Sequence, residues 1–226
     1  MTVLEHERID DLQIGGLRLI QNPDGFCYGT DAVLLSDFVN PATKGTVVDF
    51  CTGSGVIPIL LSAKIKAQRL IGIELQPDYA SMAQRSVLLN HLEQRVSILC
   101  GDIKQAHTML DGTCEAVTCN PPYIPANSGY HGAHDGKAIA RHEICCTLED
   151  VVRSAARILK YGGSLYMVHH SERLSDIMRA METHGIAPKV LQFVHSRRLH
   201  TCKLLLIKGV RGANSGVQIL PPIFKG

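Results

Sequence analysis

The chain has 226 residues, of which 45% are hydrophobic and 19% charged, and its mean hydropathy is +0.07. That suffices for one well-buried α/β core, is too apolar for a disordered chain, and contains no run long enough to span a membrane. Net charge is only +2, but the last acid is Glu182: from Thr183 to Gly226 there are seven Lys or Arg and no Asp or Glu, leaving 16 basic against 21 acidic residues in the rest. A basic C-terminal segment on an acidic body points to an anionic partner rather than a basic one. The opening Met1-Thr-Val-Leu-Glu-His-Glu-Arg8 has no basic region followed by an apolar one, so no secretory signal is read and a cytoplasmic protein is expected.

In chain order, Asp11–Gln21 reads as a small β-hairpin turned at Gly15-Gly16. A turn-rich loop, Asn22–Asp31, follows, and Thr30 or Asp31 is placed to cap a helix running to Val39. After a break at Pro41–Gly45 the pattern alternates. Strands are expected at Thr46–Phe50, Arg69–Leu75, Arg95–Gly101, Glu115–Cys119 and Ser164–His169. Helices are expected at Gly55–Lys66, Pro77–His91, Ile103–Leu110, Thr147–Lys160 and Ser171–His184. The Thr147 helix should stop at Gly162-Gly163. Lys189–His195 and Thr201–Lys208 read as a closing antiparallel hairpin. Such alternation implies a mostly parallel, seven-stranded sheet with helices on both faces. Residues 1–226 are read as one domain: 1–40 a hairpin and helix over the ligand, 45–210 the core sheet, and 211–226 a tail.

Asn120-Pro121-Pro122-Tyr123 follows the Glu115–Cys119 strand, at the carboxyl end where open α/β sheets bind their ligands. Two consecutive prolines fix φ and remove two backbone donors, leaving the Asn120 side-chain oxygen and the Pro121 carbonyl as outward acceptors on a stiff turn. Tyr123 adds a ring able to stack on a planar group. Together they suit an amino group on a conjugated system. Asp49-Phe-Cys-Thr-Gly-Ser-Gly55 links the first core strand to its helix, with Gly53 and Gly55 permitting close backbone approach. A dinucleotide loop would carry a third glycine where Pro58 stands, and Asp49 would repel a pyrophosphate. A cationic ligand without phosphate, such as S-adenosylmethionine, suits that acid. Glu74 and Asp102 end the next two strands, placed for ribose hydroxyls and an adenine amine respectively.

This set of motifs resembles the class I S-adenosylmethionine-dependent amino-methyltransferases, with their Rossmann-like fold. More closely it resembles the bacterial family that methylates N6 of the adenine 3′ of the anticodon in a valine tRNA. Phe26-Cys-Tyr-Gly-Thr-Asp31, Arg141-His-Glu143, Val194-His-Ser196 and Pro221-Pro222 extend the likeness along the chain. The resemblance implies that Asp49, Gly53 and Gly55 hold the methionyl part of the cofactor, Glu74 its ribose, and Asp102 with Ile103 its adenine. It implies that Tyr28, Thr30 and Asp31 close over the methionyl end, and that Asn120, Pro121, Pro122 and Tyr123 grip the target. The partner implied is tRNA, with no DNA, membrane or obligate protein partner.

Three rivals stay open. The same turn serves enzymes that methylate a glutamine amide in release factors, and others that act on DNA adenine, each usually with a further recognition domain. A tRNA-binding module on an inactive copy of the fold is the third. The basic residues Arg197, Arg198 and Lys203 surround the expected last hairpin turn and are candidates for phosphate contact. Eight cysteines without a Cys-x-x-Cys pair read as free thiols. His131, His134, His142, Cys145 and Cys146 can be drawn as a zinc site, but without paired ligand knuckles no metal is expected.

Overall fold

The computed structural model describes residues 2–110, 112–122, 146–197 and 200–225. Strands β1 (Arg8–Asp11) and β2 (Arg18–Gln21) form a separate antiparallel hairpin, and α1 (Thr30–Phe38) follows. Then come β3 (Thr46–Phe50), α2 (Val56–Lys64), β4 (Arg69–Glu74), α3 (Pro77–Leu89), β5 (Val96–Cys100), a 3-10 turn (Ile103–Gln105), α4 (Ala106–Met109) and β6 (Cys114–Cys119). The rest is α5 (Leu148–Ile158), β7 (Leu159–His170), α6 (Leu174–Thr183), β8 (Ile186–His195), β9 (Leu204–Arg211) and β10 (Gln218–Phe224).

The main sheet has the order β10-β8-β9-β7-β6-β3-β4-β5. All its strands run parallel except β9, which is antiparallel to both neighbours. Near-continuous apolar strands such as β3 are what a sheet covered on both faces demands. One buried layer joins α1, α2 and α3 to residues such as Val47, Leu70, Tyr166 and Leu206. The other joins α4, α5 and α6 to Val48, Phe50, Val117 and Leu165. The chain winds outward from β3 through β4 to β5, then returns beside β3 as β6. The reversal lies at the carboxyl ends of β3 and β6, the position at which open α/β sheets bind ligands.

Several boundaries shift by a few residues, among them a first hairpin strand at Arg8–Asp11 and β9 at Leu204–Arg211 in place of Thr201–Lys208, and two differences change the architecture. The helix read as far as Lys160 ends at Ile158 and passes directly into β7, which begins at Leu159. Gly162 takes a left-handed φ of 76° within that strand, beside a register shift against β6. The glycines therefore mark an irregular strand rather than a helix stop. The second difference is larger. The segment read as a tail contains β10, which pairs in parallel with β8 and makes the sheet eight-stranded. Pro221-Pro222 argues against a strand, since proline removes ladder donors, but an edge strand tolerates it. The register shifts between Leu220 and Ile223, across the two prolines.

The N-terminal hairpin docks on α3. Ile20 N donates to Ser86 Oγ at 3.0 Å, Arg18 N to Asn90 Oδ1 at 2.8 Å, and the Arg85 guanidinium meets Glu7 at 2.5 and 2.6 Å. The following loop is pinned where Phe26 N donates to the Tyr79 hydroxyl at 2.5 Å and Tyr28 N to Gln21 Oε1 at 2.9 Å. Thr147 caps α5 through a reciprocal box with Asp150. No helix among the described residues is long and apolar enough to cross a membrane.

Arg95 closes the α2–β4 junction. Its guanidinium donates to the carbonyls of Ser62, Ile65 and Ala67 at 2.5, 2.8 and 2.8 Å, satisfying the exposed end of α2. Arg95→Ala is expected to lower unfolding stability by roughly 1.5–3 kcal/mol, the scale of hydrogen bonds to a charged group. Urea denaturation checks this; an unchanged midpoint would remove Arg95 from the stabilising set.

Candidate functional site

The β3–α2 loop is wound by three left-handed residues in alternate positions: Cys51 (φ 56°), Gly53 (φ 56°) and Gly55 (φ 84°). A non-glycine residue in that region carries strain, which clusters at functional sites. Gly55 is required sterically as well, since a Cβ there would lie 3.0 Å from the Ala83 Cβ on α3. A Cβ on Gly53 would meet no protein atom within 4 Å, so the apex of the loop borders open space.

Two buried acids hold this loop. Asp49 is 1% exposed; Thr52 Oγ1 donates to its Oδ2 and Thr118 Oγ1 to its Oδ1, both at 2.6 Å. Thr118 lies on β6 directly opposite Asp49. Glu74 is 6% exposed and accepts from Gly53 N at 2.8 Å and Gln76 N at 3.0 Å. Burial raises the Asp49 carboxyl to about 7; the Thr118 and Thr52 hydroxyls pull against that shift, and the nearby Glu74 charge adds to it. Burial also raises Glu74, against its backbone hydrogen bonds. Two carboxyl groups raised in this way lack positive charge. A ligand bearing cationic groups and no phosphate fits them, and the open space at Gly53 gives its backbone approach.

The other residues singled out in the sequence fall as follows. Asp102 caps the 3-10 turn, accepting from Lys104 N at 2.9 Å and pairing with Lys104 Nζ at 3.2 Å, while Ile103 is buried. Tyr28 packs against the first core layer. Thr30 and Asp31 form the first turn of α1 and both contact Lys225. Asn120 and Pro122 are half-buried and Pro121 buried at the end of β6. Arg197 and Lys203 are exposed on the β8–β9 connection, which Ser171 ties to the end of β7 through the carbonyls of Lys203 (3.0 Å) and Cys202 (2.7 Å). Tyr123, Arg198, His131, His134, His142 and Cys145 lie outside the described residues. Because β3, β4, β6, β7 and β8 are parallel, the glycine loop, Glu74, Asn120 and the Arg197–Lys203 connection share one edge of the sheet.

Several contributors escape a reading of the sequence. Thr52 and Thr118 hold Asp49, yet nothing in their spacing marks them before the β3–β6 pairing is known. Tyr79, on α3, pins the loop carrying Tyr28. Under the Asn120 turn, the thiols of Cys51, Cys119 and Cys146 interact; contact with Cys119 raises Cys51, contact with Cys51 raises Cys146, and burial raises Cys119. They are neutral packing groups, and among the described residues no cluster suited to a metal ion occurs. His169, fully buried on β7, accepts from His170 N at 2.8 Å, and burial lowers it to about 4. It is neutral at physiological pH.

Comparison with known proteins gives the chain its family. The tRNA1(Val) (adenine(37)-N6)-methyltransferase of Porphyromonas gingivalis is 27% identical over 181 residues, covering 74% of this chain and 68% of its own. The release factor glutamine methyltransferase of Streptomyces coelicolor is 30% identical over 169 residues, covering 70% of this chain and 57% of its own. Among solved structures, a predicted O-methyltransferase from Agrobacterium tumefaciens superposes with a TM-score of 0.65, covering 86% of each chain at 19% identity, which speaks for the fold alone. The family model described as the methyltransferase small domain matches residues 22–184, spanning the glycine loop, both acids and the Asn120 turn, and the chain is a methyltransferase of that family.

Proposed function

We propose that this enzyme transfers a methyl group from S-adenosylmethionine to the exocyclic N6 of an adenine in tRNA, the adenine 3′ of the anticodon of a valine tRNA. The observation that carries the reading is the stiff Asn120-Pro121-Pro122 turn at the carboxyl end of β6, on the same sheet edge as both the cation-suited loop and an exposed basic connection. The Porphyromonas gingivalis relative supports the acceptor.

When bound, S-adenosylmethionine supplies an electrophilic methyl on a sulfonium. The chain does the rest by placement. Asp49 fixes the loop through Thr52, and Gly53 leaves room for the methionyl part. Glu74 is assigned the ribose, and Asp102 with Ile103 the adenine. Tyr28, Thr30 and Asp31 are assigned to close over the methionyl end. An adenine amine is a poor nucleophile because its lone pair is conjugated into the ring. The Asn120 side-chain oxygen and the Pro121 carbonyl accept its two hydrogens, favouring a pyramidal nitrogen with its lone pair free to attack; as the nitrogen–methyl bond forms the methyl–sulfur bond breaks, a neutral thioether leaves, and the nitrogen gives up one proton to solvent. Tyr123 is assigned stacking on the splayed-out base. Orientation of this kind can supply on the order of 7–11 kcal/mol of the barrier. Arg197, Arg198 and Lys203 are assigned to tRNA phosphates.

A second reading is favoured by the Streptomyces coelicolor relative: methylation of a glutamine amide, whose planar NH2 offers the same two hydrogens. The deciding experiment supplies labelled S-adenosylmethionine with tRNA in one arm and a release factor in the other. Nucleoside mass spectrometry is expected to find N6-methyladenosine in the first; label confined to the protein would transfer the assignment to glutamine. Within the tRNA arm, Asn120→Ala should lower the single-turnover rate on the order of a hundredfold, the scale of losing one preorganised group at a reacting atom. Cofactor affinity should stay near wild type, and a normal rate would exclude Asn120 from the mechanism.

The pH dependence of cofactor binding follows from Asp49. Its carboxyl is raised to about 7, and a cationic ligand favours the ionised form. Affinity should therefore rise as pH rises through about 7, and below that fall by up to about tenfold per pH unit, one proton being released per ligand bound. Asp49→Asn should bind more weakly and lose this dependence. Calorimetry between pH 5.5 and 8.5 (about one and a half units either side) reads both, and a wild-type affinity flat across the range would contradict it.

The phosphate assignment is tested by salt. Arg197→Ala with Lys203→Ala should weaken tRNA binding and flatten its log–log salt slope by about 0.7–0.9 for each phosphate left without its cation. A slope equal to wild type would make these residues a solvated surface.

A further inference from the structure

β10 is a strand that packing explains poorly. None of its seven residues is buried, and Pro221 and Pro222 withdraw two donors from its ladder. What it does is deliver a cation. Beyond its end, Lys225 N donates to the His195 carbonyl at 2.9 Å, and the Phe224 ring lies against the His195 ring with centroids 5.5 Å apart. From that fixed base the Lys225 ammonium reaches the first turn of α1, 2.6 Å from Thr30 Oγ1 and 3.1 Å from Asp31 Oδ1. The two charged side chains are 30% and 26% exposed.

The turn it reaches lacks any side-chain cap of its own: Gly29 stands at the N-cap position in extended backbone. A cation near a helix N-terminus is opposed by the helix dipole, so the contact persists through Asp31 and Thr30 themselves. The turn is also well placed. Lys64, at the end of α2, bonds Ser36 at 2.7 Å and Asp37 at 2.6 Å near the end of α1. The two helices pack together with those ends joined, so their N-termini lie toward the same edge of the sheet, α2 beginning at Gly55 of the glycine loop.

We propose that Lys225 is a positioning residue for the methyl-donor end of the site: it holds Thr30 and Asp31 so that the first turn of α1 stands against the glycine loop. The proposal rests on the cofactor reading above and makes β10 a strap between the β8 end and that turn. It is tested by titrating S-adenosylmethionine into wild type, Lys225→Ala and Lys225→Arg in a calorimeter. No RNA is present, so failure of the tRNA reading would leave the result intact. Lys225→Ala should bind about five- to tenfold more weakly, the scale of a part-exposed ion pair with an added hydrogen bond. Lys225→Arg should recover most of the loss, and the unfolding midpoint of the ligand-free protein should be the same in all three. In turnover with whichever acceptor, tRNA or release factor, takes the methyl group, the KM for the cofactor should rise with little change in kcat. Wild-type affinity in Lys225→Ala overturns the proposal. So does a loss that Arg fails to rescue and that comes with a lowered ligand-free midpoint, since that pattern marks a purely structural contact.

Discussion

The carboxyl group of Asp49 is the point on which this architecture turns. It sits at 1% exposure between two hydroxyls, one from the glycine loop and one from the neighbouring strand β6. Those bonds tie the loop to β6, the strand that ends in Asn120. The arrangement is costly in the ligand-free fold, because burial opposes ionisation and holds the group near pH 7 rather than the usual carboxylate range. Linkage gives the sign. Between the ordinary value of 3.8 and about 7 the folded state keeps a proton that the unfolded state has lost. The stability this group contributes is complete below that window and is lost as pH rises through about 7. Glu74, shifted the same way, adds to it. On the proposed reading a cationic ligand reverses the balance, and a destabilising feature of the empty protein contributes to ligand affinity.

Topology then does what no single residue can. A parallel sheet sends every strand's carboxyl end to the same edge, and the reversal between β4 and β6 around β3 marks the binding position there. Glycine loop, Glu74 and the Asn120 turn are separated by tens of residues in sequence and become neighbours for that reason alone. The antiparallel insertion of β9 extends the edge: the β8–β9 connection, with Arg197 and Lys203, emerges on the side where the site opens. Charge segregation along the chain thus becomes charge segregation in space, with buried acids beneath the glycine loop and exposed bases at the same end of the sheet.

Much of this is legible in the sequence, because it rests on local rules. Period, proline and glycine placement locate the seven strands β3 to β9 and the helices between them, and Asp49, Glu74 and the Asn120 turn stand at the strand ends expected of them. What escapes is set by pairing or tertiary context. β10 is hidden by Pro221-Pro222, a local signal against strands that an edge position overrides. Gly162-Gly163 looks like a helix stop because glycine is ambiguous between a cap and an irregular strand. Thr118 becomes significant only once β3 and β6 are in register, and Lys225 only once β10 is known to run beside β8. Asp49 reads as a holder of the cofactor's methionyl part; what escapes the sequence is that each of its oxygens accepts from a threonine, Thr52 or Thr118.

The same division explains why relatives with different acceptors share so much of this chain. The Asn120 turn suits an NH2 on a planar, conjugated carbon, and an adenine amine and a glutamine amide both satisfy that description. Two acceptors cannot separate them, since both substrates offer two hydrogens in one plane. The donor half cannot separate them either, because it meets only the cofactor. Discrimination must therefore come from surface outside the reacting atoms, where a polyanion and a protein differ most: in charge. On that criterion the proposal of an RNA acceptor rests on the acid-free stretch after Glu182, whose Arg197 and Lys203 are exposed at the carboxyl end of the sheet.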